Sequence, residues 1–297
     1  MGKNKDKKIQ ENSRAVGLDI ALKVINFVSG KEHLHYGYWN GLEVNLENLG
    51  DAQEAYTQHL FQYLPKKKVN KNLNILDIGG GSGQIAKYLI NLGHKVTIII
   101  PSPLLAEHAK KNTDGNAAIH TCTFEDYQPE KNNKFDLCLY AESFQYIPVT
   151  IALQKATQLL NNDGEILIAD CFRSEKKQTG IFRKPGGGPS LASMETEIKK
   201  QNLKIIVREE ITEAVAPSIE LEQKFYNTIG FIINRVIRSL KITRPISLRF
   251  LNILYKTLLS KRKRSRLENR LFEKTRSRDS FIQYNHYMIF KLTSLRR

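Results

Sequence analysis

The chain has 297 residues, 41% of them hydrophobic, with 46 Lys and Arg against 30 Asp and Glu and a formal net charge of +16. That is enough to bury one large core with an appended cap, and more than a single alternating α/β domain usually needs. Three cysteines, Cys122, Cys138 and Cys171, with no CxxC pair, exclude a disulfide framework and a zinc cluster and read as reduced core residues; no apolar run approaches a membrane span.

The first residues, Met1 to Lys8, are charged and lack an apolar stretch behind them, and Asp6 stands where N-myristoylation would want Ser or Thr. The expectation is a cytoplasmic chain without that lipid. Residues 14–63 read as helices around an aromatic cluster, His35-Tyr36-Gly37-Tyr38-Trp39. An apolar strand near 73–77 then ends in Asp77 and runs into a turn with glycines at 79, 81 and 83. Such glycines permit positive φ and a close approach of backbone to ligand, and the apolar positions after Gln84 open a helix. A dinucleotide fingerprint would need its third glycine at position 84, so the spacing argues against NAD.

Further strands are expected near 95–100, 118–122, 135–140 and 165–170, with helices near 83–92, 103–112 and 149–160. This alternation predicts a parallel sheet with right-handed crossovers. Arg173 to Pro189 contains Lys176, Lys177, Arg183, Lys184 and Pro185-Gly186-Gly187-Gly188-Pro189, and reads as a loop at the carboxyl edge of the sheet, either closing over a ligand or simply solvated. A helix over 191–201 follows, then two last strands, Leu203 to Val207 and Phe281 to Leu292, pairing antiparallel, with a helical insertion over 218–278. The expected organisation is a lid over 1–63, a core over 64–217, a cap over 218–278, and the last core strand over 279–297.

The charge is unevenly spread. Residues 230–297 hold 18 Lys and Arg against 3 Asp and Glu, leaving the remainder of the chain near neutrality. Apolar positions recur there at helical spacing, Phe225, Ile229, Ile232, Ile233, Val236 and Leu240, and again from Leu248 to Leu259 after Pro245. Interleaved with Arg235, Arg238, Lys241, Arg249, Lys256 and the run Lys261 to Arg264, they predict cationic amphipathic helices. Three readings stand: contact with an anionic membrane surface, a cap packed on the core by its apolar face, and nucleic acid, for which no reading module is present.

Four landmarks fall in the order seen in one family: Asp77-x-Gly79-x-Gly81-x-Gly83, the strand Lys95 to Ile100 leading into Pro101-Ser102-Pro103, the strand Phe135 to Tyr140, and the turn and strand Asn161 to Asp170. Together they resemble the class I S-adenosylmethionine-dependent methyltransferases. The cluster at 35–39 is similar to the branch acting on small or lipid-like acceptors, of sterol, tocopherol and cyclopropane-lipid type. The resemblance implies an α/β fold, a seven-stranded, mostly parallel, doubly wound Rossmann-like sheet with an N-terminal helical lid and a basic helical cap before the last strand. It implies S-adenosylmethionine as cofactor, held by Tyr36, Tyr38, Asp77, Gly79, Gly81, Gly83, Pro101, Ser102, Thr123, Phe124 and Ala141, with Trp39 packed beneath. The bland reading of 35–39 is an aromatic staple of the N-terminal segment.

Two positions depart from the family pattern. Ile100 stands where a carboxylate usually grips the ribose hydroxyls, and Thr123 where an acid usually meets the adenine amino group, although a shift of a few residues offers Asp126. Each lost charged hydrogen bond costs about 1.5 to 3 kcal/mol of affinity. At the end of the fourth strand, Glu142 and Tyr146 are the first candidates to orient or deprotonate an acceptor, with His35 on the lid as a third. Competing structural roles are a helix cap for Glu142, a pocket wall for Tyr146, and lid packing for His35. No metal site is expected. The expected function is methylation of a hydrophobic small-molecule or lipid-like acceptor, on oxygen or carbon rather than nitrogen. The alternative is a methyltransferase-like scaffold with lost or altered cofactor use, acting as a binding or accessory protein.

Overall fold

The computed structural model describes residues 13–66, 72–130, 133–176, 187–273 and 276–295. The expectations for Met1 to Lys8, and those for Lys177, Arg183, Lys184, Pro185 and Gly186, lie outside the described residues.

Seven strands form one sheet: β1 (Asn74–Ile78), β2 (Lys95–Ile99), β3 (Ala118–His120), β4 (Phe135–Ala141), β5 (Leu160–Arg173), β6 (Leu203–Glu210) and β7 (Asn285–Ser294), in spatial order β3-β2-β1-β4-β5-β7-β6. The first five are parallel, and β7 runs antiparallel between β5 and β6. Their apolar runs are unbroken because both faces are covered: one buried cluster holds Ile75, Ile98, Leu137 and Leu167, the other Leu76, Ile99, Cys138 and Ile166. Helices α3 (Gln84–Asn91), α4 (Pro103–Asn112), α5 (Val149–Leu159) and α6 (Leu191–Lys200) are the crossovers. The chain leaves β1 on one side and returns to β4 on the other, so the crevice at their carboxyl ends is the switch point where α/β sheets hold ligands.

The N-terminal helices α1 (Ser13–Ser29) and α2 (Leu49–Phe61) pack onto the first cluster through Leu22, Tyr56 and Leu60. Between β6 and β7 the chain forms α7 (Thr212–Thr243), α8 (Pro245–Leu258), α9 (Lys261–Phe272) and α10 (Arg278–Tyr284). Helix α7 runs without interruption past Pro217 and position 218, carrying the chain from the core into the basic segment.

Three sequence expectations are corrected. Phe281 to Tyr284 are helical, because Ser277 caps α10 by accepting from the Ser280 N–H at 3.1 Å; the strand begins only at Asn285. The turn expected over Asn161 to Gly164 lies within β5, as a bulge: Phe135 pairs with Leu160 and the register then jumps to Leu137 with Glu165. The strand expected to end at Cys122 stops at His120, followed by a turn in which Asp126 donates its N–H to the Thr123 hydroxyl.

Candidate active site

The glycine turn hangs between β1 and α3. Gly79 has φ 75° and its N–H donates to Ile99 O at 2.8 Å, while a Cβ added there would stand 2.5 Å from that of Ser143 on the β4 side. Gly83, at φ 81°, starts α3 with Ala109 of α4 so close that a Cβ would lie 2.8 Å from its Cα. Ser143 donates its hydroxyl to Ile78 O, which ties the ends of β1 and β4 together beside the turn.

Asp77 is 1% exposed, and its Oδ2 has no hydrogen-bond partner among the described residues. Burial alone pushes its carboxyl up to about 7. A buried acceptor without a donor costs on the order of 1 to 3 kcal/mol, and a ligand bringing an ammonium beside the turn would relieve that cost.

Glu142 follows β4 at φ 58°, a backbone conformation that few non-glycine residues adopt, and this turns its carboxylate back under the lid. Its Oε1 accepts from the Tyr36 N–H at 2.7 Å and from the Tyr287 hydroxyl at 2.9 Å, and Tyr287 in turn meets the Tyr56 hydroxyl at 2.7 Å. Burial pushes Glu142 up to about 8, with the neighbouring Asp170 adding to the shift while the two donors oppose it. Asp170, within β5, is itself raised by burial to about 7 and accepts from the Gln145 and Cys171 N–H groups. Above Glu142 the Tyr36 ring meets Phe281 edge-on, at 6.3 Å between centroids, and Arg276, whose charge acts on Tyr36, pairs with Glu222 of α7 at 3.0 Å. Glu222 also pairs with Arg270.

The structure therefore places Tyr36, Asp77, Gly79, Gly81, Gly83, Ala141 and Glu142 around the carboxyl ends of β1 and β4. His35 lies behind them: its ring stacks on Tyr56 at 4.4 Å, its Nδ1 meets Tyr36 O, and its Nε2 meets His33 and Thr57. Burial lowers its pKa to about 3, so it is neutral and fully engaged at physiological pH. Tyr38 stacks on His59 of α2 at 4.5 Å, and His59 reaches Glu209 on β6, a site apart from the crevice. Tyr146 lies on the 3-10 turn Phe144–Tyr146 and is 46% exposed.

At the far side of the turn, Pro101 is exposed and Ser102 is buried, capping α4 and donating to Asp19 of α1 at 3.3 Å. Thr123 is exposed and donates to Asp126 Oδ2 at 2.9 Å, so these two polar side chains satisfy each other; Phe124 is buried against Tyr140. The Ile100 side chain belongs to the same buried cluster as Leu105, Ala106 and Ala109, and so faces the core beneath α4. Trp39 donates from Nε1 to Ser218 Oγ of α7 at 2.8 Å and packs with Ala52 and Leu221, joining lid to cap. The residues missed by sequence reasoning, Tyr56, Tyr287, Glu222 and Arg276, come from α2, β7, α7 and the connection between α9 and α10, and form no local pattern.

A family model described as "Methyltransferase domain" matches residues 76–168. Residues 76–168 are thus similar to a methyltransferase domain. The domain spans the glycine turn and Glu142, while Tyr36, Tyr287, Glu222 and Arg276 reach it from outside its bounds. Among curated proteins, the uncharacterized methyltransferase YodH of Bacillus subtilis (strain 168) is 29% identical over 106 residues, which cover 35% of this chain and 46% of that protein. The chain spans about half the length of the curated relative it matches. Among solved structures, the cyclopropane synthase MmaA2 of Mycobacterium tuberculosis superposes with a TM-score of 0.65 at 15% identity, covering 93% of this chain and 95% of that one. A geranyl diphosphate methyltransferase in complex with GPP and sinefungin gives 0.62 at 14%, covering 96% and 100%, and the cyclase SpnF gives 0.59 at 14%, covering 95% of each. At these identities the likeness is one of fold, and it extends beyond the methyltransferase domain to the lid and cap.

Proposed function

We propose that the protein transfers a methyl group from S-adenosylmethionine to an oxygen or carbon atom of a hydrophobic small-molecule or lipid-like acceptor, working at a membrane surface. The donor supplies an electrophilic methyl on a sulfonium. The chain fits it in one respect that can be read directly: the unpartnered Asp77 carboxylate beside the glycine turn suits the donor's ammonium group. Tyr36 and Ala141 border the same crevice.

The observation that carries the reading is Glu142, buried between the Tyr36 N–H and the Tyr287 hydroxyl with its carboxyl raised to about 8. A general base works best when its pKa lies near the operating pH. S-adenosylmethionine, when bound, would supply the methyl group; Glu142 would take the acceptor's proton, with Tyr287 steadying its carboxylate. An amine acceptor would need only to arrive neutral, which leaves such a base without work. Tyr36, Phe281 and Tyr287 offer an aromatic wall, and the cap residues Glu222 and Arg276 close the outer side. Water exclusion and positioning then supply much of the rate.

A second reading, a scaffold with altered cofactor use, is favoured by Ile100, which leaves no carboxylate at the end of β2. Calorimetric titration with S-adenosylhomocysteine separates the two. Micromolar binding supports the enzyme, and no heat at millimolar ligand supports the scaffold.

A further inference from the structure

The cap divides along α7. From Thr212 to Gln223 the helix is largely buried on the lid and core, and Gly230 is the last buried position, where its lack of a side chain lets Leu271 of α9 come into backbone contact. Beyond it the second half of α7 stands clear, and α8 has no buried residue at all. Yet these segments are rich in large apolar side chains: Phe231, Ile242, Ile246, Phe250, Ile253 and Leu258 are exposed, Ile242 by 83% and Ile246 by 80%. Isolated exposed apolar residues are ordinary, but a continuous set on adjoining helices marks an interaction surface. The apolar face therefore does not pack on the core, which the second of the three sequence readings had required.

Charge identifies what covers it. Between Gly230 and Leu267 there are 11 Lys and Arg and no Asp or Glu. Docking a second copy face to face would bring those cations together without counter-charge. Nucleic acid would neutralise them but would gain nothing from buried Phe, Ile and Leu side chains, which offer phosphates and base edges no hydrogen bond. An anionic bilayer answers both features, because acyl chains accept the apolar residues and headgroups pair with the cations that rise beside them. No described helix is long and apolar enough to cross a membrane, so the fit is to the interface.

We propose that the second half of α7 and helix α8 form a bilayer-docking hairpin that seats on anionic lipid, with Phe231, Ile242, Ile246, Phe250 and Ile253 among the acyl chains and Arg235, Arg238, Arg249 and Lys256 at the headgroups. This deepens the reading of a lipid-like acceptor by naming the surface that delivers it, since α7 runs without a break from this hairpin to Glu222 at the candidate site. Tyr255, which donates to Glu268 at 3.3 Å and lies 6.0 Å from Arg264, holds α8 against α9, so the hairpin is presented as a fixed body.

The test uses the full chain and two sets of vesicles, pure phosphatidylcholine and phosphatidylcholine with phosphatidylglycerol in equal parts. Sedimentation with the anionic set is expected, weakened several-fold by high salt, with little or none on the neutral set. The triple variant I246S/F250S/I253S keeps every cation and should bind the anionic set at least about tenfold more weakly. Because these side chains pack on nothing, it should fold as the native chain does, which circular dichroism checks. In a second measurement, F250W should show a blue-shifted emission with anionic vesicles, over a constant background from the buried Trp39. Failure to sediment with either set, native-like binding by the triple variant, or self-association in the absence of lipid that the triple variant abolishes would each overturn the proposal. S-adenosylhomocysteine binding, measured without vesicles, stays native in the triple variant; its loss in the native chain would instead count against the enzymatic reading.

Discussion

The crevice at the ends of β1 and β4 and the hairpin of α7 and α8 are opposites in how they treat polarity. In the first, Asp77, Glu142 and Asp170 are carboxyl groups taken out of water and raised to about 7, about 8 and about 7. In the second, phenylalanine, isoleucine and leucine stand in water. Neither arrangement favours the isolated fold, since buried charge and exposed apolar surface both cost free energy. On the proposals made above, each becomes favourable when the missing neighbour arrives, a cationic ligand in one case and an anionic bilayer in the other. The difference teaches where to look for function in such a chain: at groups whose surroundings are wrong for the protein alone.

The sharpest way to break the comparison is at Glu142. Glu142→Gln keeps the shape and the contact to Tyr36 but cannot take a proton, so turnover should fall about 10² to 10⁴-fold while S-adenosylhomocysteine binding is retained, as initial rates and calorimetry would show. An unchanged rate would leave the crevice without a base. Next in size, Gly83→Ala forces a side chain into a left-handed position against Ala109 and should cost about 2 to 4 kcal/mol, read from chemical denaturation.

Removing the Tyr287 hydroxyl by Tyr287→Phe takes one donor from the Glu142 carboxylate and should cost about 1 kcal/mol of stability. Its more telling effect is on the pH–rate profile. Without that donor the ionised form is less favoured, so the limb assigned to Glu142 should move to higher pH. Ligand affinity has its own pH dependence. Asp77 must be ionised to hold an ammonium, so S-adenosylhomocysteine should bind more tightly as pH rises through about 7, and Asp77→Asn should flatten that rise. For the ligand-free protein the sign reverses. The three acids have folded pKa values above their unfolded ones, so their stability is fully present below about pH 4 and is lost as pH rises through about 7 to 8. His33 and His35, lowered by burial to about 4 and about 3, act in the other direction, and their contribution is lost below about pH 6 as pH falls towards those values. Between about pH 4 and 6 the three acids outweigh the two histidines, so the ligand-free melting temperature should be highest near about pH 4 and fall as pH rises towards about 8. Smallest of all, single Ser substitutions at Ile246 or Phe250 should change stability by no more than about 0.5 kcal/mol. A larger loss would mean that these two side chains pack on the protein after all.

The turn from Asp77 to Gly83 was legible as structure because its signal is local: a strand end, three glycines and a helix start within one short run. The position of Glu142 was legible for the same reason, standing directly after β4. Tyr56, Tyr287 and Arg276 were not, because the interactions that define them join residues more than a hundred positions apart, and nothing in their own neighbourhoods marks them. The stretch from Phe281 to Tyr284 misled because Phe281 and Ile282 run straight into the apolar residues of β7; the overlooked sign was Ser277, a helix cap four residues ahead. In the cap, periodicity correctly gave helices, but periodicity cannot say what an apolar face touches.

Ser218 sets a condition on any attempt to re-engineer this molecule. Its one hydroxyl accepts from both the Gly37 N–H at 2.9 Å and the Trp39 indole at 2.8 Å, so two donors of the N-terminal segment converge on one oxygen of the cap. A chimera that grafts a foreign cap at the start of α7 must bring its own acceptor to that spot, or strand two donors in the dry seam between the parts. Swapping cap modules to change acceptor range would thus have to reproduce a polar contact far from the hairpin tip.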